Sequence, residues 1–222
     1  MDGPCSYEDL RDCLRSIASV NRFTLGHRPT LHFLEGLRRK KHMNGRPLHI
    51  VDVGCGYGDL LRQVHRWGAR RGIPVVLTGI DLNADAVRAA REVTPAGVAE
   101  FHVGNAFAFD PPGGIDVVVS SLLTHHLENA GVVEFVRWME AKAQVGWFIN
   151  DLHRQPVPYR LFCLGRHFTT WHRFAKHDGA VSILRSFRRE DWVALLKAAG
   201  VPETAYKVME FRPARLCVAR VK

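Results

Sequence analysis

A chain of 222 residues, 46% hydrophobic and with a formal charge of +9, is long enough to bury one real core and short enough to be one domain. It holds no apolar run of about 18 residues, which excludes an ordinary membrane-spanning helix, and its opening MDGPCSYEDL lacks the basic-then-apolar pattern of a secretory signal. Five scattered cysteines with no C-x-x-C pair argue against a disulfide framework or a zinc site, so a reducing cytoplasm is the expected location.

The positive charge invites a nucleic-acid reading. Against it, the basic residues are mostly Arg and are spread along the chain. Their densest cluster, Arg38-Arg39-Lys40-Lys41, sits where a helix pattern ends, so a solvated helix end explains it and nucleic acid is not the expected partner. Oligomeric state is not legible.

Ser6 followed by Asp9 is a capping-box-like start. Leu10, Cys13, Leu14, Ile17 and Ala18 then form one apolar stripe of a helix expected to stop near Asn21. Arg28-Pro29 opens a second helix, with Leu31, Phe33, Leu34 and Leu37 on its apolar side. Two helices ahead of the first strand are more than a sheet needs. Residues 1–45 read as a lid over a ligand pocket or as a packed extension, and both readings stand.

The stretch His49 to Asp59, HIVDVGCGYGD, organises the rest. Ile50, Val51 and Val53 read as a buried strand; Gly54, Gly56 and Gly58 end it in a tight turn; Leu60, Leu61, Val64 and Trp67 follow at helical spacing. Alternate glycines permit positive φ and let a ligand approach the main chain. The helix N-terminus beyond offers unpaired N–H groups and a positive dipole end. A second strand-like run, Val75 to Ile80, delivers Asp81, which lies 23 residues past Gly58. In nucleotide-binding βαβ units an acid at about this distance accepts hydrogen bonds from the ribose hydroxyls, each contributing roughly 1.5–3 kcal/mol. The competing role for Asp81 is a helix cap, which Asn83 can also fill.

The spacing is Gly-x-Gly-x-Gly with Asp52 inside the strand, not the Gly-x-Gly-x-x-Gly of dinucleotide binders. VDVGCGYG followed by TGIDLN resembles the class I S-adenosylmethionine (SAM)-dependent methyltransferases, of small-molecule type. The resemblance implies an α/β fold: a Rossmann-like, seven-stranded, mostly parallel sheet with helices on both faces and a C-terminal antiparallel hairpin. It implies SAM as cofactor, with Asp52, Gly54, Cys55, Gly56 and Gly58 under its methionine part and Asp81, with Leu82 beside it, at the ribose.

Beyond Asp81 a helix from Ala84 to Glu92 leads to a third strand, Ala99 to Val103, ended by Gly104-Asn105-Ala106. The resembled family often has an acid where Asn105 stands. An Asn amide can still pair with the adenine edge, so Asn105 and Ala106 join the cofactor candidates. Asp110-Pro111-Pro112-Gly113 precedes the fourth strand and carries Gly in place of an aromatic ring, so it is a turn rather than an amine-methylating motif. Ile115 to Val119 form that fourth strand, ending at Ser120-Ser121; Ser120 is a further cofactor candidate.

The chain then reads Leu122-Leu123-Thr124-His125-His126-Leu127, followed by a helix from Asn129 to Ala143 and a fifth strand from Val145 to Ile149 that ends in Asn150-Asp151-Leu152-His153. Two strand ends thus bring His or carboxylate to the rim where open α/β sheets bind ligands. Residues 154–185, rich in aromatic, His and Arg residues, read as a substrate-cap insertion of loop or helix. Ser186 reads as the cap of a last helix, stopped by Gly200, and two final runs, Tyr206 to Phe211 and Leu216 to Val221, read as the terminal hairpin. No composition break marks a second domain, so residues 1–222 form one methyltransferase domain.

SAM carries its own activated methyl group, so the protein's tasks are positioning and proton management. A phenol, enol or sugar hydroxyl needs a base, and His, with an ordinary pKa of about 6.5, suits it. The resemblance implies a His pair, His125 and His126, and a carboxylate, Asp151, around the acceptor; His153, just beyond the fifth strand, is the other candidate. The expected arrangement has His126 or His153 as base, oriented by Asp151. Too few hard ligands gather at the strand ends for a magnesium site, so no metal is expected. The expected activity is methyl transfer to oxygen of a small polyketide-, quinone- or isoprenoid-like metabolite. Carbon methylation, RNA methylation and non-catalytic SAM binding are the alternatives.

Overall fold

The computed structural model describes residues 6–39, 46–165 and 173–222. The chain opens with α1 (Tyr7–Phe23) and α2 (Arg28–Arg39) and then alternates strand and helix: β1 (Leu48–Val53), α3 (Asp59–Arg71), β2 (Val75–Asp81), α4 (Ala84–Val93), β3 (Glu100–Val103), β4 (Ile115–Ser121), α5 (Asn129–Lys142) and β5 (Ala143–Leu152). Helices α6 (Pro156–Gly165), α7 (Arg173–Arg185) and α8 (Arg189–Ala198) precede the hairpin of β6 (Tyr206–Phe211) and β7 (Arg215–Val221). One seven-stranded sheet results, in the order β3-β2-β1-β4-β5-β7-β6. The first five strands run parallel, and β7 enters antiparallel between β5 and β6. The strand order reverses between β1 and β4, which opens a ligand crevice at their carboxyl ends.

The strands read as unbroken apolar runs because both faces are covered. Side chains alternate across the sheet: Val51, Val53, Val118, Trp147, Ile149, Leu216 and Val218 pack with α5 and α8. Ile50, Val117, Val119, Phe148, Cys217 and Ala219 pack on the other face with α2 and α3. The two N-terminal helices have different roles. On α2, Phe33 stacks on Phe148 with ring centroids 4.8 Å apart, and Leu34 and Leu37 are fully buried, so this helix is a packed layer of the core. On α1, Ser6 caps the helix by accepting from Asp9 N at 3.1 Å. Its Leu10 and Leu14 meet Ala86 and Ala89 of α4, while Leu14 and Ile17 face the crevice.

Several boundaries differ from the sequence reading. Helix α1 runs two residues past Asn21, to Phe23. Ser186 does not cap α8: its hydroxyl donates to Ile183 O at 2.7 Å and closes α7. The cap position is Arg188, whose N–H donates to Asp191 at 2.8 Å. Strand β5 extends through Leu152 because β7 pairs with it as far as Arg215, so Asn150 and Asp151 lie inside the sheet. The described part of 154–185 is two helices. Lys40, Lys41, His167, Phe168, Trp171 and His172 lie outside the described residues, as does Cys5. The other four cysteines form no disulfide, and no described helix is long and apolar enough to cross a membrane.

Candidate active site

The crevice is a cavity of about 1340 Å³ running from the glycine turn across the ends of β1, β4, β5 and β7. At Gly54 the chain takes φ +71°, and a Cβ there would come within 2.9 Å of Leu123. At Gly58, φ +69°, a Cβ would lie 2.7 Å from the Phe101 ring. Both positions therefore require glycine. The turn is clamped to β2: Gly54 N and Cys55 N donate to Ile80 O at 2.8 and 3.2 Å. Gly56 N donates to Asp81 Oδ2 at 2.9 Å, and Asn83 N to Asp81 Oδ1 at 3.0 Å. Asp81 is thus held by two backbone donors at the cavity edge with lone pairs to spare. Asn83 takes the capping role, accepting from Asp85 N and Ala86 N at 2.9 and 3.1 Å.

Asp52 points into the cavity floor, 2% exposed, with Oδ1 lacking any partner. Burial, reinforced by the neighbouring charges of Asp59 and Asp81, pushes its carboxyl well above the usual range. An unpartnered buried carboxylate oxygen beside two further acids fits a cationic ligand. SAM meets that requirement with its ammonium and sulfonium, and Asp81 suits its ribose. Cys55 lines the same wall, its thiol pushed well up by burial and by Asp52 and Asp81, so it is a packing group rather than a nucleophile. Further along, Leu82 is 76% exposed at the cavity edge, an apolar plate where a base would lie. Asn105 Oδ1 accepts from Phe107 N at 3.0 Å, which leaves its amide NH₂ for a ligand; Ala106 and Phe107 line the wall beside it.

Ser120 is displaced from its expected role. Its hydroxyl donates to Val53 O at 3.1 Å and is buried between strands, and Ser121 lines the cavity instead. Strand parity is the reason, since neighbouring residues point to opposite faces.

At the other end, the turn after β4 folds into one 3₁₀ turn, Thr124–His126, that lies over the end of β5. Asp151 is fully buried and receives four donors: the Thr124 hydroxyl, His125 N at 3.1 Å, His125 Nδ1 at 2.6 Å and Leu152 N at 2.7 Å. Burial alone would raise its pKa, but the charge and hydrogen bond of His125, with Thr124 and Leu152 N, hold it at about 2. An ionised carboxylate only accepts, so Nδ1 of His125 carries a hydrogen whichever form the ring takes, and Nε2, on the far edge of the ring, is the nitrogen that can take up or release one. His125 lines the cavity. The expected pairing of Asp151 with His126 or His153 is therefore corrected: the carboxylate holds His125. His126 is exposed, its ring 4.2 Å from that of His125. His153 is buried just past the end of β5 and also lines the cavity; its Nδ1 is 3.9 Å from Glu210, and burial lowers its pKa against the pull of that acid. Asn150 is committed elsewhere, donating to Gly26 O at 2.7 Å and Thr30 at 3.2 Å.

Sequence reading missed a third group. His27 Nε2 lies 2.8 Å from Asp59, Asn21 Nδ2 donates to Asp59 at 3.3 Å, and Arg215 Nη2 donates to Asn21 Oδ1 at 2.8 Å. This chain ties α1 and the α1–α2 turn to the glycine turn and to β7. Asp59 alone had a local signal, as the last residue of the glycine stretch. The others are joined only by tertiary folding.

Residues 50–146 match the family model described as a methyltransferase domain. A ubiquinone biosynthesis O-methyltransferase of Ralstonia nicotianae is 29% identical over 193 residues, 82% of this chain and 76% of that protein. One of Albidiferax ferrireducens is 32% identical over 54% of this chain and 47% of its own length. Among solved structures, a plantazolicin methyltransferase in complex with a triazolic desmethylPZN analogue and SAH (S-adenosylhomocysteine, demethylated SAM) superposes with a TM-score of 0.66 at 15% identity, over 97% of this chain and 98% of that one. Magnesium protoporphyrin IX methyltransferase of Synechocystis with bound SAH gives 0.59 at 16%, over 100% and 90%. The clamped glycine turn, the ribose-side acid, the sheet order with its terminal hairpin and the methyltransferase-domain match over residues 50–146 together support a class I SAM-dependent methyltransferase.

Proposed function

We propose that this SAM-dependent small-molecule methyltransferase acts on an oxygen nucleophile, a phenol or enol of an apolar or aromatic metabolite, with His125 as the base. The observation that carries this reading is the His125–Asp151 pair at the cavity wall. A buried carboxylate fixes one ring nitrogen as donor and so leaves the other to take a proton. The names of the Ralstonia and Albidiferax relatives, both O-methyltransferases, support oxygen over carbon.

SAM supplies the activated methyl group. The chain's residues do the rest. Asp52 and Asp59 line the wall that meets its cationic part, Asp81 accepts from its ribose, and Leu82, Asn105 and Ala106 receive the base. His125 removes the acceptor proton as the oxygen becomes nucleophilic, and Asp151 stabilises the resulting imidazolium. Val157, Leu161 and Phe162 of α6 line the cavity and give the acceptor an apolar wall that excludes water. In this reading α1, α6 and α7 are the cover of the site.

Incubation with methyl-labelled SAM and a panel of phenols and enolisable diketides tests the reading, with products resolved by mass spectrometry. O-methyl products are expected. Products methylated only on carbon, or none from a chain that binds SAM tightly, would overturn it. Calorimetry checks the cofactor half separately: Asp81→Ala should weaken SAH binding at least about tenfold, the loss of one charge-assisted hydrogen bond.

A further inference from the structure

Helix α6 carries Val157, Leu161 and Leu164 at i, i+4 and i+7, the spacing of one helix face. They are 62%, 63% and 63% exposed. The other side of the helix is the one that packs, where Phe162 lies against Gly179 of α7. The α1–α2 turn repeats the pattern. Phe23 and Leu25 are 78% and 60% exposed, on either side of Thr24, which lines the cavity. Leu25 takes φ +54°, a conformation that costs a leucine backbone strain, and its side chain gains no burial in return. Val157 and Leu161 line the same cavity, so its apolar wall runs out to the surface. Exposed apolar groups gathered in this way mark an interaction surface.

Charge narrows the partner. Residues 156–185 hold five Lys or Arg and one acid, Asp178, and residues 13–34 hold three Arg and no acid. Seven of the chain's nine net positive charges therefore lie in the two segments that carry these apolar side chains. Arg22, Arg28 and Arg160 are exposed beside them. A surface both apolar and cationic matches an anionic lipid bilayer, with aliphatic side chains in the acyl boundary and Arg at the headgroups. Nucleic acid fits the charge, but four of the five side chains are aliphatic and cannot stack on bases. A second copy of the chain would bring the same positive charge against itself.

We propose that the exposed face of α6 and the α1–α2 turn dock the chain on an anionic membrane surface, with the cavity mouth toward the lipid. An apolar acceptor then passes from bilayer to cavity without entering water. Only that consequence rests on the methyl-transfer reading, because docking is read without turnover.

The test is cosedimentation of the full chain with vesicles of phosphatidylcholine alone and of phosphatidylcholine mixed with phosphatidylglycerol. Binding to the mixed vesicles should be at least about tenfold tighter than to the neutral ones and should weaken with salt. Phe23→Gln combined with Leu164→Gln keeps the charge and alters no residue that lines the cavity. It should weaken vesicle binding at least about tenfold, while an SAH affinity within about twofold of wild type shows that the variant is folded. Absence of binding to the mixed vesicles overturns the proposal. So does binding that the double variant leaves unchanged, since charge alone would then hold the chain to the surface. Salt-sensitive binding of bulk tRNA without vesicle binding gives the face to nucleic acid. A dimer in light scattering that the double variant dissociates, again without vesicle binding, gives it to a second copy. The proposal falls in either case.

Discussion

Replacing His125 by Gln is expected to lower kcat by about 10²–10⁴-fold, the range for loss of a general base, measured with the acceptor found in the methyl-transfer screen. Gln fills similar space and its amide can still donate to Asp151, so the buried carboxylate keeps a partner. What is lost is the second nitrogen, which alone can carry a proton away at neutral pH. SAH affinity should stay within about twofold, because no described contact joins His125 to the glycine turn or to Asp81. The variant's pH–rate profile should also lose its acidic limb, since that limb records protonation of the base. A variant with wild-type kcat and an unchanged limb would remove His125 from the chemistry. His153, whose pKa is already lowered by burial, would then be the group to substitute next.

How much of this site could be read in the sequence depended on how local each piece was. The glycine turn and Asp81 were legible because their geometry is set within one βαβ unit: turn, strand and acid have nearly fixed spacing. The terminal hairpin was legible from two β-rich runs and a Pro turn. The pairing of Asp151 was not. It depends on β5 running on to Leu152, which β7 enforces from more than sixty residues away, and on the 3₁₀ turn that buries His125 against Asp151 and leaves His126 exposed at the cavity edge. Ser120 and Ser121 show the same limit on a smaller scale: the strand's end was clear, but its parity against the cavity was set by register with β1. Arg215 gave no signal at all. An arginine beginning a terminal strand is ordinarily exposed, and it is buried here because the α1–α2 turn folds over it.

Asp151→Asn should be the second severe change, and it separates catalysis from stability in one variant. An amide keeps the shape but can present either an oxygen or an NH₂ to Nδ1. The tautomer of His125 is then no longer dictated, and kcat should fall by up to about 10⁴-fold, as for loss of the orienting acid in a His–Asp pair. The stability effect has a definite sign. The Asp151 carboxyl titrates at about 2 in the folded chain against an ordinary value of 3.8. A depressed folded pKa contributes stability that is present above pH 3.8 and is lost as pH falls through about 2. A shift of this size corresponds to about 2 kcal/mol, undiluted by solvent because the group is fully buried. Urea unfolding of wild type and Asp151→Asn at pH values from neutral down into this window measures it. The wild type should lose its advantage over the variant between pH 4 and 2, a window fixed by those two pKa values, and hold it unchanged above. Curves that stay parallel throughout would mean that Asp151 is not ionised in the fold, and a neutral Asp151 could not fix the donor on His125.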